Sequence, residues 1–131
     1  MPYKLNEAQY KAVVALSDAE RCSHFIGKVA DSEFLWGVRN DDGWLVPVTP
    51  DKLEYFPVWP HSEYAQKIAD KHFPGHVATE IELDDFMGEL LPRLQHDGAK
   101  VAVFPNEEWN LWITEPSDLR EALADEISKF E

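Results

Sequence analysis

Hydrophobic and polar positions follow two different periods along this chain, and the switches between them predict its secondary structure. An amphipathic helix is indicated where apolar residues recur at i, i+3, i+4 and i+7, as they do at Cys22, Phe25, Ile26 and Val29. Glu33 to Arg39 instead alternates with the period of two that is typical of a strand. The turn-forming residues Asn40 to Gly43 come next, so they predict a β-hairpin that returns along Trp44 to Val48.

The same reasoning predicts the element order ααβββαβαββα for one globular domain, residues 1–131. The predicted helices begin at Asn6, at Ser17, at about Glu63, at Asp84 or Asp85, and near Pro116. The predicted strands after the hairpin are Leu53 to Trp59, Val77 to Leu83, Lys100 to Phe104 and Trp109 to Thr114. This order indicates an α+β fold, with a mostly antiparallel sheet of about five to six strands and helices packed on it.

The stretch from Glu54 to Tyr64, EYFPVWPHSEY, carries the densest group of aromatic residues. Its first half alternates as a strand covered on both faces does, and we expect it to extend the hairpin into a three-stranded meander. Pro57 cannot donate a ladder hydrogen bond, so this strand should be an edge strand or end in a bulge. Ser62 is the expected cap of the next helix. Two interpretations remain open for the turn: an aromatic corner of the core, or the lip of a ligand site.

The composition favours a folded chain of ordinary domain size. Its hydrophobic content of 44% is enough to fill a single core. The apolar runs are much shorter than the roughly 20 residues of a membrane span, and the N-terminal sequence MPYKLNEAQY does not have the order of a signal peptide. These features, with a single cysteine, predict a cytoplasmic protein.

The net charge of −13 is concentrated in the second half of the chain, where residues 61–131 hold 16 acidic and 6 basic residues. A field of this sign repels nucleic-acid phosphate and anionic membranes, so we expect no direct binding to either. It suits a cationic partner. Solubility alone would also account for it.

Three segments carry a resemblance to a known family: LWGVRNDDGWLV, EYFPVWPHSEYA and GAKVAVFPN, preceded by Phe25 and by Lys28 to Asp31. In these motifs the chain resembles a family of small, uncharacterised bacterial proteins catalogued as domain of unknown function 2750. The resemblance covers about Phe25 to Pro105 and implies a shared fold, but it implies no activity. A looser similarity of arrangement is to small secretion-associated and immunity-type bacterial proteins.

The sequence predicts no catalytic residue, metal site or cofactor. His61, beside Trp59 and Glu63, could act as a general base, or it could cap the helix and pack on the aromatic residues. His72 and His76 are four apart, but Pro74 and Gly75 interrupt the helix between them. Cys22 lies on an apolar helical stripe, where a cysteine is usually a small hydrophobic residue. The glycines and serines form no nucleotide-binding or hydrolase motif.

The leading hypothesis is therefore a non-catalytic domain that binds a protein partner or a second copy of itself, as in a homodimer. Its sharper form is an immunity- or antitoxin-like protein whose acidic face covers a cationic partner. The alternative is a small-ligand-binding protein or enzyme with a pocket around Trp59, His61 and Glu63. Two further groups complete the candidates. These are the tryptophans of the predicted strands, and Glu107 and Glu108, which have no evident structural role. The candidate binding residues are Trp36, Trp44, Trp59, His61, Glu63, Glu107 and Glu108.

Overall fold

The computed structural model describes residues 5–129 and has the α+β class predicted from the sequence. The helices are α1 (Glu7–Val14), α2 (Asp18–Ser32), α3 (Ser62–His72), α4 (Leu83–Asp85), α5 (Leu91–Asp97) and α6 (Pro116–Ser128), with a π-helical turn at Phe86–Leu90 that joins α4 to α5. The strands are β1 (Phe34–Asn40), β2 (Gly43–Trp44), β3 (Tyr55–Val58), β4 (Val77–Glu82), β5 (Lys100–Val103) and β6 (Ile113–Thr114). Within this part of the chain, no helix is both long and apolar enough to cross a membrane.

The strands form two three-stranded sheets, so the prediction of a single sheet of about five to six strands is wrong. Within residues 5–129, three of the four strand pairs are antiparallel, as predicted. The first sheet has the antiparallel order β2-β1-β4, and the second has the order β3-β5-β6. The predicted meander ends after two strands, because β3 runs parallel to β5, with Tyr55 beside Lys100 and Val58 beside Val103. All four residues of β3 are buried, as expected for a parallel strand covered on both faces. β3 lies at the edge of the second sheet, which confirms the prediction from Pro57 that this is an edge strand.

One backbone pair connects the two sheets. The Trp36 amide donates to the Trp59 carbonyl at 2.9 Å, and the Trp59 amide donates back to Trp36 at 2.8 Å. Next to this bridge, Gly37 leaves room for two aromatic rings, because a Cβ there would lie 3.1 Å from the ring of Trp44 and 3.3 Å from Phe56. A larger residue would push the hairpin away from the core.

The helices α1 and α2 begin with the capping residues predicted from the sequence, whereas α3 does not. Asn6 and Ser17 cap α1 and α2, as predicted, and each forms a complete capping box. For α3 the cap is His61 and not Ser62, because the extended His61 places its Nδ1 where it accepts the Glu63 amide at 3.1 Å. The histidine thereby satisfies one of the amides left unpaired at a helix start.

Proline disturbs a helix because it has no amide hydrogen, and the disturbance at Pro92 takes the form of the π-helical turn before it. The Leu91 amide reaches back five residues to the Phe86 carbonyl. In that register the Met87 carbonyl would pair with the amide of residue 92, which proline does not have. The Nε of Arg120, from α6, donates to the Met87 carbonyl at 3.1 Å instead. The C-terminal helix therefore supplies the hydrogen bond that the proline removes.

Candidate functional site

The loops that follow the parallel strands β3 and β5 pack against each other, and we call them the aromatic corner: Trp59–His61 and Phe104–Asn110. The carboxyl ends of parallel strands are where α/β sheets commonly bind ligands, so the corner occupies a place where such sheets often have a ligand site. The Phe104 amide donates to the Val58 carbonyl at 2.8 Å, and Trp59 Nε1 donates to the Pro105 carbonyl at 3.0 Å. The Trp59 side chain is fully buried.

His61 is also enclosed in this corner. Its side chain is 7% exposed. The ring stacks on Trp36 at a centroid distance of 5.9 Å and meets Tyr64 edge-on at 6.2 Å. Neither His61 nor Trp59 lines any of five well-formed clefts among residues 5–129. The contacts of the histidine are those of a capping and packing residue.

Arg21 fixes α2 to the corner, and the sequence analysis did not single it out. Its guanidinium is buried, with Nε donating to the Phe104 carbonyl at 2.9 Å and Nη1 to the Leu16 carbonyl at 2.6 Å. Asp18, half-exposed, forms its ion pair. A buried arginine that is bonded in this way carries no free positive charge for a ligand. The available sequence signal was its place directly after the capping box of α2.

The loop Phe104–Asn110 is organised by a buried asparagine. Asn106 Oδ1 accepts the Glu108 amide at 3.1 Å and the Asn110 amide at 2.8 Å. This side chain holds the backbone away from a strand conformation, and Trp109 has a left-handed φ of 63°. The predicted strand Trp109 to Thr114 is therefore reduced to β6.

The candidates Glu107 and Glu108 contribute backbone atoms to this loop. His72 Nε2 lies 2.6 Å from the Glu107 carbonyl, and it must carry the proton of that hydrogen bond. The Glu108 side chain is exposed, and that of Glu107 is half-buried. Of the two tryptophans nearby, Trp109 packs on Trp59 at 6.1 Å, whereas Trp112 remains 40% exposed.

Burial shifts the pKa values of three groups near the corner, Tyr10, His24 and Cys22, toward the neutral form. Burial, followed by the charge of Glu107, raises the pKa of Tyr10 to about 12. Burial and then the charge of Lys28 lower the pKa of His24. Burial raises the pKa of the half-buried Cys22 thiol, which disfavours the nucleophilic thiolate. Among residues 5–129, no group of His, Cys, Asp and Glu side chains is arranged to hold a metal ion.

A second candidate site is an open cleft of about 540 Å³ on the first sheet, which we call the acidic groove. Its lining residues are Trp44, Glu80, Ile81, Glu82, Asp85, Glu89, Leu90 and Arg93. Trp44 touches Gly37, and cross-strand pairs place Gly37 with Thr79 and Leu35 with Ile81. Trp44 and Ile81 thus share one face of the sheet and form an apolar floor. The β4 edge forms one wall, and the π-helical turn with α5 forms the other.

The lining of the groove combines four carboxylates with one cation, Arg93. Glu80 and Glu82 line the cleft from the β4 edge, where the alternation of the strand directs their side chains to the face opposite Ile81. Asp85 and Glu89 come from the helical wall. The ion pairs found within residues 5–129 include none of these four side chains. Arg39 lies over the Trp44 ring, 5.3 Å from its centroid, at the end of the floor. The arrangement can attract a positive group and bury apolar atoms beside it.

The seven candidate residues therefore separate into different places. Trp36, Trp59 and His61 come together in the core, and Glu63 lies exposed in the first turn of α3. Trp44 is the candidate that lines the acidic groove. The groove carboxylates are not among the candidates predicted from the sequence, where two of them lie on the predicted strand Val77 to Leu83 and no motif marks them.

The comparison with known families agrees with the resemblance noted from the sequence. The chain belongs to the family described as Protein of unknown function (DUF2750), whose profile matches residues 22–123. That range includes every lining residue of the groove and both loops of the corner. A search of curated proteins found no significant match. The family description assigns no activity, so it adds none to either site.

Proposed function

We propose that this protein is a non-catalytic interaction domain that binds a cationic protein segment in the acidic groove. The observation that supports it most directly is that four carboxylates without an ion pair among residues 5–129 line one open cleft that also has an apolar floor. Solubility requires dispersed surface charge, but it does not require a tryptophan and an isoleucine between the charges. A basic segment with apolar side chains would complement both features.

In its sharper form, the proposal is that the protein acts as an immunity- or antitoxin-like inhibitor of a basic protein. The excess of acidic residues in 61–131 extends beyond the groove and would accelerate the encounter with such a partner. Two copies of a chain with a net charge of −13 repel each other, so the charge favours a different protein over a homodimer. Binding of this kind weakens as salt screens the charges, with a Debye length of about 10 Å at 0.1 M.

The alternative function, a small-ligand site or active centre around Trp59, His61 and Glu63, has weaker support. Trp59 is buried to 0% exposure and its indole nitrogen is already bonded to a carbonyl. His61 caps α3 through the ring nitrogen that a general base would need. The packing of both residues accounts for their position without a ligand.

The test compares the wild-type protein with a groove variant that carries Glu80→Gln, Glu82→Gln, Asp85→Asn and Glu89→Gln. The matched control neutralises four exposed carboxylates outside the groove lining, with Asp31→Asn, Asp51→Asn, Glu121→Gln and Asp125→Asn. Proteins retained from a lysate at low salt are identified, purified and titrated against all three forms. We expect a basic partner whose Kd rises about tenfold or more for the groove variant, a change of about 1.4 kcal/mol, and much less for the control.

Equal weakening by both sets of substitutions would mean that total charge, and not the groove, drives binding. Retention of no basic protein by the wild type would contradict the proposal as a whole. Sedimentation of the free protein in the same buffer provides the test of self-association, for which we expect a monomer.

A further inference from the structure

The outer edge of β4 is open, and the orientation of its backbone groups follows from the neighbouring hydrogen bonds. In the part of the chain that the structure describes, residues 5–129, β4 has β1 as its one neighbour in the sheet. Trp36 of β1 gives both its amide and its carbonyl to Trp59, on the side away from β4. Trp36 faces Glu80, and in an antiparallel ladder such a pair is not hydrogen-bonded. The amide and carbonyl of Glu80 therefore point outward, away from β1.

Two further hydrogen bonds agree with this alternation. Val38, two residues along β1, directs its carbonyl to the Leu45 amide at 2.9 Å. Its partner Ala78 directs its amide outward, where Gln66 Oε1 accepts it at 2.9 Å. Beyond the bond from Gln66, no side-chain or loop hydrogen bond within residues 5–129 reaches the outward groups of β4. These are the Ala78 carbonyl, the Glu80 amide and carbonyl, and the Glu82 amide.

Charged residues on an edge strand usually prevent unwanted pairing with other chains, and Glu80 and Glu82 have that effect on an uncharged strand. That role does not explain Asp85 and Glu89, which lie across the groove on the helical wall. For a strand with basic side chains, the same carboxylates attract and do not repel. The edge thus disfavours pairing with strands that lack basic side chains and favours pairing with strands that have them.

We infer that β4 accepts an extended segment of the partner as a fourth strand beside β4 in the β2-β1-β4 sheet. The inference rests on the proposed function for the charge of that partner. Side chains of the added strand that lie opposite Glu80 share its face of the sheet, and those opposite Ile81 face the apolar floor. The segment that fits therefore alternates basic and apolar residues. Its backbone supplies the affinity of strand addition, and its alternating side chains supply the specificity.

The probe is the end-blocked peptide Lys-Val-Lys-Ile-Lys-Val-Lys, compared with the same peptide N-methylated at its central amides. Methylation keeps the charge but removes hydrogen-bond donors. We expect the unmodified peptide to bind at low salt and the methylated one to bind about tenfold more weakly or worse. On binding, the Glu80 and Glu82 amides should exchange with solvent about tenfold more slowly. Thr79 and Ile81, whose amides face β1, should change little.

The protein-side variants separate charge from backbone pairing. Glu80→Gln removes only the charge, whereas Glu80→Pro also removes an outward amide that β1 does not use. We expect the glutamine variant to weaken binding a few-fold and the proline variant to abolish it. If the proline variant does not fold, the methylated peptide makes the same distinction.

Equal affinity of both peptides, without protection of Glu80 and Glu82, would overturn strand addition while leaving binding of cations by the groove intact. Failure of both peptides to bind would also overturn it, and the titrations of the groove variant then decide separately on the proposed function.

Discussion

The aromatic corner and the acidic groove differ in whether their polar side chains bind groups of the same chain. In the corner, Arg21, Trp59 and Asn106 direct their polar atoms at backbone groups of the same chain. The four carboxylates that line the groove are exposed to solvent, and none of them forms an ion pair within residues 5–129. The corner uses its polar atoms to hold its own backbone, whereas the carboxylates of the groove are exposed to solvent.

This difference also separates a region that stabilises the fold, the corner, from a region that lowers its stability, the groove. Asp85 and Glu89 are four residues apart on one helical wall, and like charges at this spacing destabilise a helix. The packed corner also carries a cost, because Phe104 and Trp109 have left-handed φ angles of 54° and 63°, but the hydrogen bonds of Asn106 fix that loop conformation. A surface that lowers stability without a local benefit is a better candidate for binding than a surface that raises it.

The largest effect on stability is expected from Arg21→Met. The substitution leaves the buried Phe104 carbonyl and the Leu16 carbonyl without donors and should lower the free energy of unfolding by about 3 kcal/mol. Urea denaturation measures it. Asp18→Asn is the control, because the Asp18 side chain is 39% exposed, and we expect a loss below about 1 kcal/mol. A similar loss for both variants would show that the ion pair, and not the carbonyl bonds, holds α2 to the corner.

Trp59→Phe should have the next largest effect. It removes the hydrogen bond from Nε1 to the Pro105 carbonyl and leaves a small cavity, with an expected cost of about 2 kcal/mol. Trp112→Phe makes the same chemical change at a side chain that is 40% exposed. There the change should stay within about 0.5 kcal/mol. If thermal unfolding gives equal shifts for the two variants, the corner is less tightly packed than its geometry indicates.

The π-helical turn behind the groove gives a smaller effect that can be isolated by a double-mutant cycle. Arg120→Ala removes the donor to the Met87 carbonyl and should cost about 1 kcal/mol. In a Pro92→Ala background the chain regains an amide for that carbonyl, so Arg120→Ala should cost less than half as much. Additive costs in urea denaturation would contradict the link between the proline and the arginine.

The smallest effect is expected in the groove itself, and it has the opposite sign. Glu89→Gln relieves repulsion from Asp85 and should raise the free energy of unfolding by about 0.3 kcal/mol. Glu121→Gln, at an exposed position of α6 outside the groove, is the matched control. The difference is best measured at low salt, where screening is weak. A loss of stability in Glu89→Gln would show that this carboxylate has a structural partner.

Local signals in the sequence were enough to predict most elements but not their pairing. The hairpin turn at Gly43, with φ of 122°, and the stop of α5 at Gly98 both follow from residue chemistry over a few positions. The parallel pairing of β3 with β5 does not, because nothing in a run covered on both faces specifies which distant strand lies beside it. The aromatic residues of β3 were compatible with either arrangement.

The candidate sites divide in the same way. Trp59 and His61 attracted attention because they are rare residue types close together in sequence. The groove joins Trp44 with residues 80–93, and only the folded hairpin brings them together. Each groove carboxylate taken alone looks like ordinary surface charge. Sequence spacing therefore favoured a site made from neighbours in the chain and missed the one assembled by the fold.

The parallel pair also affects when the protein can fold. Val58 and Lys100 are separated by about 40 residues, which a ribosome adds in about 2–8 seconds at typical rates of synthesis. The hairpin of β1 and β2 can form early, because its partners are adjacent in sequence. β3 has no strand to join until β5 has emerged, and during that interval its aromatic residues are exposed. The nascent chain is therefore most prone to aggregation after Trp59 and before Val103 has been made.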